Sequence, residues 1–177
     1  SDDFAAGLDK WNRVVGVTLD STRGDHSGPP SARAAASGDK RFIKAKLGGS
    51  YGAACATASV RVASGSGRIS LIRFKTAANI GIGRVYINMA TNELWLRSDA
   101  SGTIKRSNTT MSRNQWHDLE LCATSGVSGS YDLRLDGTPI LTWNANNGTN
   151  PIGMVQLGDS SNKTYTANFD DVEVVEP

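Results

Sequence analysis

The 177-residue sequence predicts an all-β fold, with two antiparallel sheets packed face to face as a β-sandwich. Three observations carry that expectation. Short runs alternate apolar and polar residues with a period of two, the signature of strands with one buried face. Clusters of Gly, Ser, Asn and Asp separate those runs. Hydrophobic residues make up only 38% of the chain, while glycine occurs 19 times, a balance that favours short strands and turns over helices.

"SARAAASGDKRFIKA" (32–45 with Ser31) is rich in alanine, but it lacks an apolar stripe at helical spacing and is interrupted by Ser-Gly, so no helix is expected there. "SVRVAS" sets Val60 and Val62 on one face. "GRVYINMA" turns Val85 and Ile87 inward and Tyr86 and Asn88 outward. "NELWLRS" buries Leu94 and Leu96 and leaves Trp95 and Arg97 on the opposite face. "WHDLELCA" buries Leu119 and Leu121, and "YDLRLDG" buries Tyr131, Leu133 and Leu135. Turn signals fall between these runs at Ser64–Gly67, Thr91 and Gly126. Asp136-Gly137 is a hairpin signal, because both central residues of a type I′ turn need positive φ. About a dozen strands in one domain, residues 1–177, are expected.

The bulk numbers exclude some partners. The formal charge is +2 and no Lys/Arg run forms a phosphate-tracking stripe, which argues against nucleic acid. No apolar run approaches membrane-spanning length, so no membrane partner is expected. A chain opening at Ser1 suggests a mature secreted product or a module tethered to other domains of a larger protein. Cys55 and Cys122 each lie in a strand-like run without CxxC spacing. A disulfide between them would stabilise the fold by about 4 kcal/mol in the chain-entropy view; two buried thiols are the alternative. Three Asn-x-Thr sequons begin at Asn108, Asn147 and Asn162.

The segment "NQWHDLELCATSGVSGSYDLRLDGTPIL" resembles the concanavalin A-like, laminin G-like jelly rolls. Trp116 opens a strand, and a short loop leads to a partner strand that ends in Asp136-Gly137. "PIGMVQLGDSS" is similar to the strand that follows in those domains. The "DDF…GLDKW" start and "FDDVEV" finish look like the ends of secreted carbohydrate-binding modules. The resemblance implies a jelly roll whose first and last strands are neighbours. Asp2 and Asp3 would then lie beside Asp170 and Asp171, and their mutual repulsion would call for a hard cation, a structural Ca²⁺. Solvated carboxylates at a sheet edge are the alternative reading.

For chemistry, a jelly-roll glycosidase needs two carboxylates flanking the scissile bond. The Glu-x-Asp-x-x-Glu strand signature is absent, leaving Asp118 and Glu120, two apart on one outward face, as weak catalytic candidates. His117 reads as a cap on the core edge, and no Gly-x-Ser-x-Gly elbow is present. Arg23-Gly24-Asp25 reads as an ordinary loop. The outward aromatics are the most usable signal. Trp95 and Tyr86, with Arg73, Arg97 and Asn88, would form a glycan platform, flat rings meeting sugar C–H faces and polar groups meeting the hydroxyls. Trp143 either flanks that surface or plugs the sandwich edge. The sequence therefore predicts a secreted, non-catalytic, polysaccharide-binding module. A structural or adhesion domain without sugar affinity is the main alternative, and a glycoside hydrolase or lyase the next.

Overall fold

The computed structural model describes residues 1–176, and among these every regular element is a strand. Two long strands organise the chain. β3 (Ser31–Tyr51) covers the alanine-rich segment, and β12 (Ile152–Val175) runs antiparallel to it over most of its length. Alternating small residues suit this pairing: Ala32, Ala34 and Ala36 are buried while Arg33 and Ala35 face outward.

Both strands change sheet part-way. The second half of β3 and the first half of β12 pair with β1 (Arg13–Val15) and β5 (Arg68–Lys75). That sheet continues through β6 (Gly81–Asn88), β7 (Glu93–Ser98) and β8 (Ile104–Thr110). The other halves pair with β2 (Val17–Asp20) and β4 (Ala53–Gly65). This second sheet continues through β9 (His117–Thr124), β10 (Gly129–Leu135) and β11 (Thr138–Ala145). The β12 register breaks between Asp159 and Lys163, where the strand turns the corner. Tyr165 locks that corner: its hydroxyl donates to the Arg41 carbonyl at 2.5 Å and accepts from the Asp159 N–H at 3.0 Å.

The core lies between the sheets and follows the alternation. Val60, Val62, Val85, Ile87, Leu94, Leu96, Leu119 and Leu121 are fully buried, and Tyr131 and Leu133 face them. Asp136 and Gly137 both take positive φ (51° and 74°), as the hairpin signal requires. Cys55 and Cys122 are directly opposed on β4 and β9 and form a disulfide. The chain ends are neighbours as well: Asp2 and Val172 exchange both backbone hydrogen bonds, at 2.7 and 2.8 Å.

Candidate functional site

Strand register assembles the site on the outward face of the β5–β8 sheet. Lys44 stands opposite Gln156, Gln156 opposite Arg73, Arg73 opposite Arg84, and Arg84 opposite Arg97. One row of side chains thus crosses β3, β12, β5, β6 and β7. A parallel row holds Lys46, Met154 and Lys75, and another holds Ser70, Tyr86, Trp95 and Arg106.

Asp99, just past β7, anchors the first row. Its N–H donates to the Ile82 carbonyl at 2.9 Å, which places the carboxylate over the start of β6. There it accepts from Arg73 Nε (2.8 Å) and from Arg84 Nε and Nη2 (2.8 and 2.5 Å), with Arg97 Nε at 3.6 Å. Gly81 makes room for it, since a Cβ there would stand 2.3 Å from Asp99 Oδ2. A carboxylate between planar guanidiniums fixes their orientation as well as neutralising one charge. Burial lowers the affinity of Arg73 for its proton, and Asp99 partly restores it. Lys75, only 6% exposed, is pushed down to about 8, chiefly by burial and then by Arg73 and Lys44.

Trp95 and Tyr86 are here, but not as open plates. Arg106 lies 4.5 Å and Arg68 5.5 Å from the Trp95 ring centre, and Arg84 and Arg68 lie 5.2 and 6.0 Å from the Tyr86 ring. These cation–π contacts leave Tyr86 only 8% exposed, so the bare aromatic platform the sequence suggests is in fact a guanidinium-covered surface. The face also has unmet hydrogen-bonding capacity. Ser70 Oγ, Trp95 Nε1, Arg97 Nε and Gln156 Oε1 are buried without a partner. They are four of the six such side-chain atoms among the described residues.

Of the glycan-contact residues expected from the sequence, Trp95, Tyr86, Arg73 and Arg97 come together on this face. Asn88 sits at its margin and turns its Oδ1 to the Ala90 N–H, capping the β6–β7 turn. Trp143 lies on β11 in the opposite sheet, stacked on Tyr131 with ring centres 5.7 Å apart and packed against the core, so it plugs the sandwich edge. Sequence reading missed Lys44, Arg68, Lys75, Arg84, Asp99, Arg106 and Gln156. Arg84 carried a signal, since it shares the outward parity of Tyr86; Lys44 and Gln156 join the row only through long-range pairing.

The other expected sites are dispersed. Asp118 Oδ1 accepts from Ser59 Oγ at 2.7 Å, and Glu120 pairs with Arg134 at 3.3 Å, both on the outward face of the β4–β9–β10 sheet. His117 is hydrogen-bonded to Asp136 Oδ2 (2.8 Å) and Ser112 Oγ (2.6 Å), tying the turn before β9 to the β10–β11 hairpin. This is the edge-capping role expected of it. Ser112 Oγ also lies 2.8 Å from Gln115 Oε1 as a donor.

The four terminal aspartates do not converge on one point. Asp2 is buried, accepting from Trp11 Nε1 at 2.7 Å and from the Phe4 N–H at 3.2 Å, with Lys10 at 3.3 Å. Asp170 is fully buried beneath the 21–30 loop, accepting from the Asp25 and Asp171 N–H groups. Desolvation raises it to about 6. Asp3 and Asp171 remain at the surface and line, with Asp2, Ser27 and Glu173, a shallow cleft of about 320 Å³. Among the described residues, the groups close enough to share one ion are Asp25, His26 and Asp118, at the neighbouring loop. The adjacent Asp25 and then Asp118 raise the proton affinity of the exposed His26.

No protein-family model and no curated protein matches the sequence. Solved structures match closely in shape. A cellulose-induced protein, Cip1, superposes with a TM-score of 0.78 at 18% identity, over 99% of this chain and 96% of its own. An endo-β-1,4-glucuronan lyase from the fungus Trichoderma reesei gives 0.71 at 12% identity, over 96% and 92%. The carbohydrate-binding module CBM66 from Bacillus subtilis gives 0.54 at 11% identity, over 92% and 96%. At these identities the likeness shows the fold, a jelly-roll β-sandwich.

Proposed function

We propose that the chain is a polysaccharide-binding jelly roll that holds its ligand on the outward face of β5–β8. One observation carries this reading: strand register gathers Trp95, Tyr86, Arg73, Arg84, Arg97 and Arg106 on one sheet face, with partnerless polar atoms just beneath them. Rings of this kind meet sugar C–H faces, and guanidinium donors meet the hydroxyls that a sugar chain offers at short, regular intervals. The neighbours named as a carbohydrate-binding module and a glucuronan lyase support the same ligand class. The disulfide fits a secreted protein working in an oxidising setting.

Affinity electrophoresis through gels carrying neutral and charged polysaccharides tests the reading. At least one polymer should retard the protein, and Trp95→Ala should weaken that retardation about tenfold, the scale of a lost aromatic contact. Equal mobility on every polymer would sink it.

Chain cleavage is a second reading, favoured by Lys75, whose amine is in part neutral near pH 8 and so suited to take a proton. New reducing ends that appear with the protein and vanish in Lys75→Met would establish cleavage.

A structural divalent ion at the seam of the chain ends is a separate proposal. Asp2, Asp3 and Asp171 line the cleft there without converging, so an ion would have to draw their carboxylates together; oxygen ligands of this kind suit Ca²⁺. Added CaCl₂ should raise the melting temperature relative to EGTA, and Asp171→Asn should abolish the increment. No shift would refute it.

A further inference from the structure

The charge on the β5–β8 face is one-sided. Lys44, Arg73, Lys75, Arg84 and Arg97 stand on adjacent strands with Asp99 as their anion, an excess of four positive charges (5 − 1) within two rows. Lys46, Arg68 and Arg106 border them; the acids at the margin are Glu93 and, at the β12 corner, the buried Asp159, whose Oδ2 accepts from the Ser70 N–H at 2.9 Å. Protein surfaces normally interleave the two signs, because uncompensated like charges repel. The depressed proton affinity of Lys75 reports the same crowding, with Arg73 and Lys44 contributing after burial.

We propose that the ligand of this face is an acidic polysaccharide, a chain of carboxylate-bearing sugars laid across the strands along the row from Lys44 to Arg97. The inference rests on the reading of this face as a glycan surface, and it names the class of glycan.

Three features select carboxylates on a stiff sugar ribbon. Asp99 holds the guanidiniums of Arg73 and Arg84 in place, and their side chains are only 14% and 13% exposed. Planar guanidiniums held in this way offer paired N–H donors to a carboxylate, and the dextran sulfate and DNA arms of the test below separate carboxylate from other anions. Partnerless atoms of both kinds lie just beneath the surface, Trp95 Nε1 and Arg97 Nε as donors and Gln156 Oε1 as an acceptor, and they become available to a carboxylate or hydroxyl when the side chains above them shift. The spacing also fits. Neighbouring strands lie about 4.8 Å apart, close to the advance of one sugar in an extended 1,4-linked chain, so successive sugars would cross successive strands. In a flat ribbon alternate carboxylates project to opposite edges. Sugars over β3 and β5 would turn their carboxylates toward Lys46 and Lys75, and the sugar over β6 would turn its own toward Arg84, flanked by Arg73 and Arg97, the two rows lying about 7 Å apart along the strands.

The test uses the intact chain and matched polymers: a polyuronate, the same polymer after chemical reduction of its carboxyl groups to neutral hydroxymethyls, dextran sulfate and duplex DNA, each titrated by calorimetry. The expected result is binding of the polyuronate, about tenfold or greater loss on carboxyl reduction, and weakening as salt rises. Arg97→Gln should reduce polyuronate affinity about tenfold, the scale of one charge-assisted hydrogen bond. Lys46→Ala, at an exposed position, supplies a second variant that leaves the Asp99 cluster intact and should weaken binding several-fold. Equal binding of the native and reduced polymers would overturn the acidic-ligand proposal while leaving the glycan surface standing. Binding of dextran sulfate or DNA as tight as that of the polyuronate would overturn the carboxylate assignment. Binding of none of the four, with neutral polysaccharides also failing, would overturn both.

Discussion

On the outward face of the β4–β9–β10 sheet the polar groups are settled within the protein. Glu120 pairs with Arg134, Asp118 with Ser59, and the half-buried Cys55–Cys122 bond lies among them. On the outward face of β5–β8 the same period-two alternation ends differently, with an excess of cations and four buried polar atoms lacking a partner. The lesson is that alternation decides only which side chains leave the core. Whether an exposed face is finished or awaits a ligand depends on which strands register brings together.

The largest effect is expected on the finished face. Replacing Cys55 and Cys122 with alanine should remove about 4 kcal/mol. For a chain of this size that lowers the melting temperature by roughly 8–16 °C. Polysaccharide affinity should not change, because the bond lies in the opposite sheet; a parallel loss of affinity would show the two faces to be coupled. On the unfinished face, Asp99→Asn leaves Arg73, Arg84 and Arg97 without their anion and should cost about 3 kcal/mol. Denaturation in urea measures it, and added salt should restore part of the loss by screening the arginines. A neutral outcome would mean that the guanidiniums are not held by Asp99.

A third effect is smaller and depends on pH. Asp170 is raised to about 6 from an ordinary value of 3.8. Between these values the folded chain keeps a proton that the unfolded chain has released, so stability falls as pH rises from about 4 to 6. Melting curves in EGTA across that window should slope downward for the native chain and more shallowly for Asp170→Asn. The smallest effect is expected from Glu120→Gln, which breaks a partly exposed ion pair: a change within about 0.5 kcal/mol, with sugar binding intact.

Much of this architecture was legible in the residues. The inward positions from Val60 to Leu135, the Asp136-Gly137 hairpin and the pairing of the two cysteines all follow from local pattern or simple chemistry. The adjacency of the chain ends came from the family resemblance. The site was half legible. Trp95, Tyr86, Arg73 and Arg97 could be placed on one side by parity alone. Their company could not, because Lys44 and Gln156 lie far away in the chain and reach the row through β3 and β12. For the same reason, basic residues that look evenly scattered along the sequence form one patch in space. Trp143 stayed open between two readings, because a place near the sheet edge does not separate a surface ring from one folded back over the core; the structure shows the second.

The sheet-switching of β3 and β12 has a mechanical consequence. Two ribbons serve both layers, so neither layer can peel away without tearing backbone bonds in the other. Amide hydrogens deep in the two layers should therefore exchange with solvent through one shared, cooperative opening. A sugar chain clamped on one side would slow exchange on the far side by the same factor, and binding could be read from amides that never touch the ligand.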